Sequence, residues 1–112
     1  MVWYQELYAS KNIARKKKKI KKRISQGKSQ HDIYVLTLAS NPKNLVDIIP
    51  SKNFLNKWYP KEDLFILGVA KGYEEARDLA FEIILEIYGK TGAFQVRDYF
   101  CNTNKAKLGG SS

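Results

Sequence analysis

One unbroken run carries the strongest chemical signal in this chain: Arg15-Lys16-Lys17-Lys18-Lys19-Ile20-Lys21-Lys22-Arg23. Side chains of this type neutralise phosphates and release condensed counterions, so the run suits a polyanion. If four to six of them meet duplex phosphates, the log–log salt slope of binding is about −4 to −5. Lysine dominates, and it is a point charge rather than a bidentate fork, so sequence-specific base readout is not expected. The expected nucleic-acid-binding residues are Arg15, Lys16, Lys18, Lys19, Lys21, Lys22 and Arg23. A solvated face, an acidic protein surface and an anionic membrane are the alternatives. A membrane would gain about 1 kcal/mol per basic residue near its surface, but three isoleucines are thin for insertion.

Other constellations are weaker. Trp58, Tyr59 and Tyr73 lie near loops and could stack bases, with core or rim packing the more ordinary role. His31 is the sole histidine and Cys101 the sole cysteine, and a structural zinc needs four ligands. Nothing places His31 where it could activate the Cys101 thiol, so nucleophilic catalysis is not expected. Asp32, Asp47, Glu62, Asp63, Glu74 and Glu75 invite a two-metal nuclease, but no lysine is placed convincingly with them. Gly89-Lys90-Thr91 echoes the end of a phosphate loop; the upstream glycine is missing, and the segment follows a helix instead of opening one. No metal, cofactor or catalytic residue is expected, and the chain is read as non-enzymatic.

The elements that would position the basic run follow from periodicity. Lys11 to Gln26 lacks glycine and proline and is rich in helix formers, with Ser10 or Asn12 able to cap it and Gly27 to end it. Ile13, Ile20 and Ile24 fall on a narrow stripe that would dock the helix and leave a broad basic face in water. Asp32 to Ala39 and Leu64 to Lys71 read as strands buried on both faces. Asn41 to Asn44 is a turn, and Leu45 to Ile49 is a second strand in an antiparallel hairpin or, alternatively, a helical turn. A short helix over 52–59 would carry Phe54, Leu55 and Trp58 on one side, and Pro60 to Asp63 is a loop.

Residues 73 to 88 form the clearest helix, with Glu74, Glu75 and Asp78 at its positive end and a wide apolar face from Ala76 to Tyr88. Gly89 or Gly92 stops it. Ala93 to Phe100 alternates as a last strand, parallel to 64–71 through a right-handed crossover. The opening residues Trp3, Tyr4, Leu7 and Tyr8 form an aromatic-rich lead-in.

Length and charge fit this plan. At 112 residues there is room for one core and no second domain. Residues 1 to 30 hold ten Lys or Arg against Glu6, while residues 31 to 112 hold ten basic and ten acidic residues, so the first segment carries the whole +9 excess. Solubility alone does not require such segregation, which points to a local partner. A lone cysteine suits a reducing compartment. The start lacks a basic and then apolar leader, and no apolar run could span a bilayer, so a cytoplasmic location is expected.

Three stretches carry a family resemblance: 41–50 (NPKNLVDIIP), 68–76 (GVAKGYEEA) and 88–100 (YGKTGAFQVRDYF). Together they resemble short, uncharacterised bacterial proteins of the Firmicutes type, some on mobile elements. The resemblance spans residues 32 to 100 and implies a compact bacterial domain, with no activity to transfer. The basic segment lies outside it.

The expectation is an α+β domain: a small mixed sheet of about three or four strands in β-β-α-β-α-β order, helices packed on it, and a basic helix in front. Residues 1–30 would be the basic helical segment, 31–100 the core, and 101–112 a flexible tail with a linker-like Gly-Gly-Ser-Ser end. Its expected function is non-specific nucleic-acid binding; the alternative is a protein-interaction module, an inhibitor or adaptor, for an acidic partner surface. Oligomeric state is left open.

Overall fold

A computed structural model describes residues 2–28, 32–38, 45–55, 64–93, 96 and 99–100. The chain opens with strand β1 (Val2–Ala9), a 3-10 turn (Lys11–Lys16) and helix α1 (Lys17–Ser25). Strands β2 (Ile33–Leu38) and β3 (Val46–Pro50) follow, then a second 3-10 turn (Ser51–Leu55). Strand β4 (Phe65–Lys71) and helix α2 (Tyr73–Thr91) complete the regular elements. The four strands form one mixed sheet in the order β1-β4-β2-β3. This is the α+β class with a small mixed sheet that the sequence led us to expect.

β2 and β4 sit at the centre because their apolar runs can be covered on both sides. They pair antiparallel, Val35 opposite Val69, and β2 forms an antiparallel hairpin with β3, Val35 opposite Ile49. Successive residues of a strand face opposite ways. Leu36 and Leu38 accordingly join one core cluster with Leu67, Ile83, Ile87 and Phe100. Ile33 and Val35 join a second with Leu7, Ile13, Ile20, Ile24 and Phe54. The sheet is therefore covered by α2 on one face and by the basic helix on the other.

Two expectations are corrected. The segment 1–30 is not helical throughout, because its aromatic lead-in is β1, paired parallel to β4. Within the stretch 93–100, expected as a last strand, the described residues Val96, Tyr99 and Phe100 are helical. Val96 and Phe100, four apart, share one helical face and are buried in the α2 cluster. The parallel partner of β4, expected there, is β1. The chain thus reads strand, basic helix, hairpin, strand, helix, with its extra strand at the front instead of the back.

Smaller differences concern the helices. The basic helix starts as a 3-10 turn and becomes α-helical only at Lys17. α2 runs on to Thr91 and ends at Gly92. Along its expected apolar face, Ala76, Leu79, Ala80, Ile83 and Ile87 are buried while Tyr88 is exposed. In the short turn after β3, Phe54 is buried and Leu55 is exposed.

β4 enters α2 through Gly72, whose φ of 79° lies in the left-handed region where a side chain is strained. Its N–H donates to the Asp32 carbonyl at 2.7 Å, so the start of α2 is tied to the start of β2. A side-chain chain of contacts fastens α2 to β1. The Tyr8 hydroxyl donates to Glu86 Oε2 at 2.6 Å, Lys90 Nζ lies 3.4 Å from Glu86 Oε1, and Lys90 donates onward to the Tyr99 hydroxyl at 3.4 Å.

Candidate nucleic-acid interface

The basic surface is built outward from three isoleucines. Ile13, Ile20 and Ile24 are all buried against the sheet, Ile24 at 2% exposure. Burying such side chains stabilises the docked helix by about 1.5–3 kcal/mol each. With that stripe turned inward, helical geometry turns the remaining positions out: Arg15, Lys16, Lys18, Lys19, Lys21, Lys22 and Arg23 are all exposed. Lys17 is half-buried instead and donates to the Leu7 carbonyl at 3.2 Å, tying the first turn of α1 to β1. Lys21 Nζ sits 5.7 Å from the Trp3 ring centroid, a cation–π contact along the same seam.

No described carboxylate pairs with these seven cations. The ion pairs among the described residues, Arg77–Asp78 and Lys90–Glu86, both lie on α2. Within α1, Lys17/Lys21, Lys18/Lys22 and Lys19/Arg23 are like-charge pairs four apart, each costing about 0.2–0.5 kcal/mol. The first turn of α1 holds no acid and three lysines, so the positive end of the helix dipole faces more positive charge. Lys22 and Arg23 in the last turn are favourably placed. The helix is held by its apolar anchors against its own electrostatics, and an anion laid along it relieves the repulsion.

Between α1 and the sheet runs a groove of about 220 Å³ lined by Ile13, Lys16, Lys19, Ile20, Arg23, Ile33 and Lys71. Lys71 was not among the sequence candidates. It ends β4 opposite Ile33, and its N–H donates to Ser10 Oγ at 3.2 Å. Its only signal in the sequence is a lysine closing an apolar run before Gly72, and nothing local says that this strand end meets the basic helix.

The remaining candidates fall elsewhere. Trp58, Tyr59, His31, Glu62, Asp63 and Cys101 lie outside the described residues. Tyr73 is exposed at the start of α2 and meets Tyr34 edge-on, ring centroids 5.9 Å apart, within the layer away from α1. Asp47 stands on β3 opposite Thr37, and Glu75 accepts a hydrogen bond from Asn12 Nδ2 at 2.5 Å. Among the described residues no three His, Cys, Asp or Glu come together to hold a metal ion. Gly89-Lys90-Thr91 closes α2, where the Thr91 hydroxyl donates to the Ile87 carbonyl at 2.8 Å, a helix-end contact and not a phosphate cradle.

No family model, curated protein or solved structure matches the chain. No helix among the described residues is long and apolar enough to cross a membrane.

Proposed function

We propose that this protein binds nucleic acid, DNA or RNA, with little sequence preference, through the outward face of α1 and the 3-10 turn that leads into it. Arg15, Lys16, Lys18, Lys19, Lys21, Lys22 and Arg23 hold backbone phosphates, and the electrically balanced remainder of the domain is the rigid base that presents them. The reading rests on one observation: all seven side chains are exposed, and none has a described carboxylate partner. Phosphates relieve the self-repulsion of the helix and release counterions in doing so. Lysine supplies charge without a fixed donor geometry, so affinity follows charge density instead of base identity. The protein is read as a small non-enzymatic bacterial accessory factor acting in the cytoplasm.

The test is fluorescence anisotropy with labelled duplex and single-stranded oligonucleotides at two salt concentrations. Binding at low salt that weakens steeply as salt rises is expected. No binding at low salt, or binding indifferent to salt, overturns the proposal.

A second reading is an interaction module, inhibitor or adaptor, recognising an acidic protein surface. The exposed apolar side chains Phe81, Leu85 and Tyr88 along α2 favour it, since such a stripe suits a protein contact more than a phosphate backbone. Capture of a single partner that survives nuclease treatment, by a protein that binds no oligonucleotide, would favour that reading.

A further inference from the structure

We infer that the groove between α1 and the strand ends is a clamp for a phosphate monoester, the dianion carried at the phosphorylated end of a nucleic-acid strand. The inference rests on the assignment of α1 as the nucleic-acid face and adds to it a discrete seat for one group.

Four cations from two parts of the fold converge there. Lys16, Lys19 and Arg23 are spaced three and four apart, so they rise from one edge of the basic helix. Lys71 comes across from the sheet, its backbone held by the hydrogen bond to Ser10 Oγ. Among the described residues no carboxylate lines the groove, and its floor is Ile13, Ile20 and Ile33. An apolar floor keeps water away from one side of a bound anion, and charge–charge attraction is stronger where water is thinned.

The charge and the size of the seat both select the group. A monoester carries about −1.5 to −2 at neutral pH, whereas a diester within a strand carries a single charge. Four uncompensated cations therefore favour the monoester. At about 220 Å³ the groove is below the roughly 300–1,000 Å³ of sites that enclose a whole small ligand, so it takes a phosphate and leaves the sugar and base outside. Arg23 offers a planar fork for two phosphate oxygens, and the lysines act as point charges around it.

The experiment compares one single-stranded oligonucleotide carrying either a 5′-phosphate or a 5′-hydroxyl, by anisotropy, on the wild type, Lys71→Gln and Lys18→Gln. Lys18 lies on α1 but not in the groove. The wild type is expected to bind the 5′-phosphate about tenfold tighter, the low end for one added hydrogen bond to a charged group. Lys71→Gln should erase that difference, and Lys18→Gln should weaken both oligonucleotides while preserving it. A parallel arm follows backbone amide shifts of Ile20, Ile33 and Lys71 on titration with glycerol phosphate.

Equal, salt-sensitive binding of both oligonucleotides overturns the clamp and leaves the nucleic-acid face standing. No binding of either oligonucleotide, together with Lys71-dependent amide shifts on glycerol phosphate, would keep the clamp for a free phosphorylated small molecule and overturn the nucleic-acid face. Absence of both discrimination and amide shifts overturns the clamp outright.

Discussion

Tyr8 crosses Gly68 so closely that a Cβ built on the glycine would lie 2.9 Å from both the Cβ and the carbonyl oxygen of the tyrosine. The contact falls where the β1–β4 register shifts, between the pairs Trp3–Ile66 and Tyr8–Gly68. Backbone and Cβ cannot swing aside as a side-chain tip can. Gly68→Ala should therefore cost about 1–3 kcal/mol, the usual penalty of overpacking. Urea titration should show a lower midpoint, with loss of amide protection concentrated in β1 and in the basic helix that follows it. A midpoint unchanged from wild type would mean that β1 is not held there.

The same tyrosine makes stability sensitive to alkali. Burial first, and then the hydrogen bond to Glu86, hold the Tyr8 phenol well above its ordinary range. In the unfolded chain the phenol ionises near pH 10. Above that pH the unfolded state has lost a proton that the folded state keeps, so stability falls as pH rises; below it the contribution is constant. Lys90, raised by its contacts with Tyr99 and Glu86, acts in the same direction. Melting temperature measured from pH 8 to 11 should drop more steeply for the wild type than for Tyr8→Phe. Parallel curves would refute the linkage.

Ile24 is the deepest of the anchors that dock α1. Ile24→Ala removes buried methyl groups and leaves a cavity, at about 2–5 kcal/mol. Any nucleic-acid affinity should fall with it, although no charge has changed. Retained affinity in a destabilised variant would show that the helix does not need its platform.

Charge removal should do the reverse. Changing Lys16, Lys18, Lys19 and Lys22 together to Gln relieves the i,i+4 repulsion of Lys18/Lys22 and leaves the buried stripe intact. Thermal stability should be unchanged or higher, while oligonucleotide binding at low salt is abolished. The wild-type slope of log K against log salt should be about −4 to −5 for duplex DNA. A variant that still binds with the wild-type slope would place the interface elsewhere.

Thr37 offers a control in the core. Its hydroxyl is buried and has no hydrogen-bond partner among the described residues. A buried, unpaired polar group costs about 1–3 kcal/mol, so Thr37→Val should raise the melting temperature. A fall would reveal a partner for that oxygen.

How much of this was legible beforehand depended on whether a pattern was local. β2, β4 and α2 are continuous runs whose composition matches their surroundings, and the Ile13, Ile20, Ile24 spacing was enough to say which side of the basic helix faces water. β1 hid because its two buried apolar residues, Tyr4 and Leu7, are three apart. The irregular register against β4 breaks the alternation by which a strand is read. The stretch 93–100 misled in the opposite way, since Phe94, Val96 and Asp98 alternate as in a strand, while Val96 and Phe100 also fit one helical face. What decided between them is tertiary: β1 already occupies that side of β4. Lys71 entered the basic groove for the same kind of reason, through pairing with Ile33 that no local window contains.

Among the described strands β1 has β4 as its one neighbour in the sheet, so it stays without a mate until Phe65–Lys71, more than fifty residues further along, has been made. Clipping away the opening residues would bare a long row of backbone groups flanked by Ile66, Leu67 and Val69, the sort of sticky margin on which chains accrete into aggregates. The strand that leads into the polycation thus also covers the backbone of the most apolar strand pair in the sheet's interior, and it does so with a segment that has charge and bulk at its own margin.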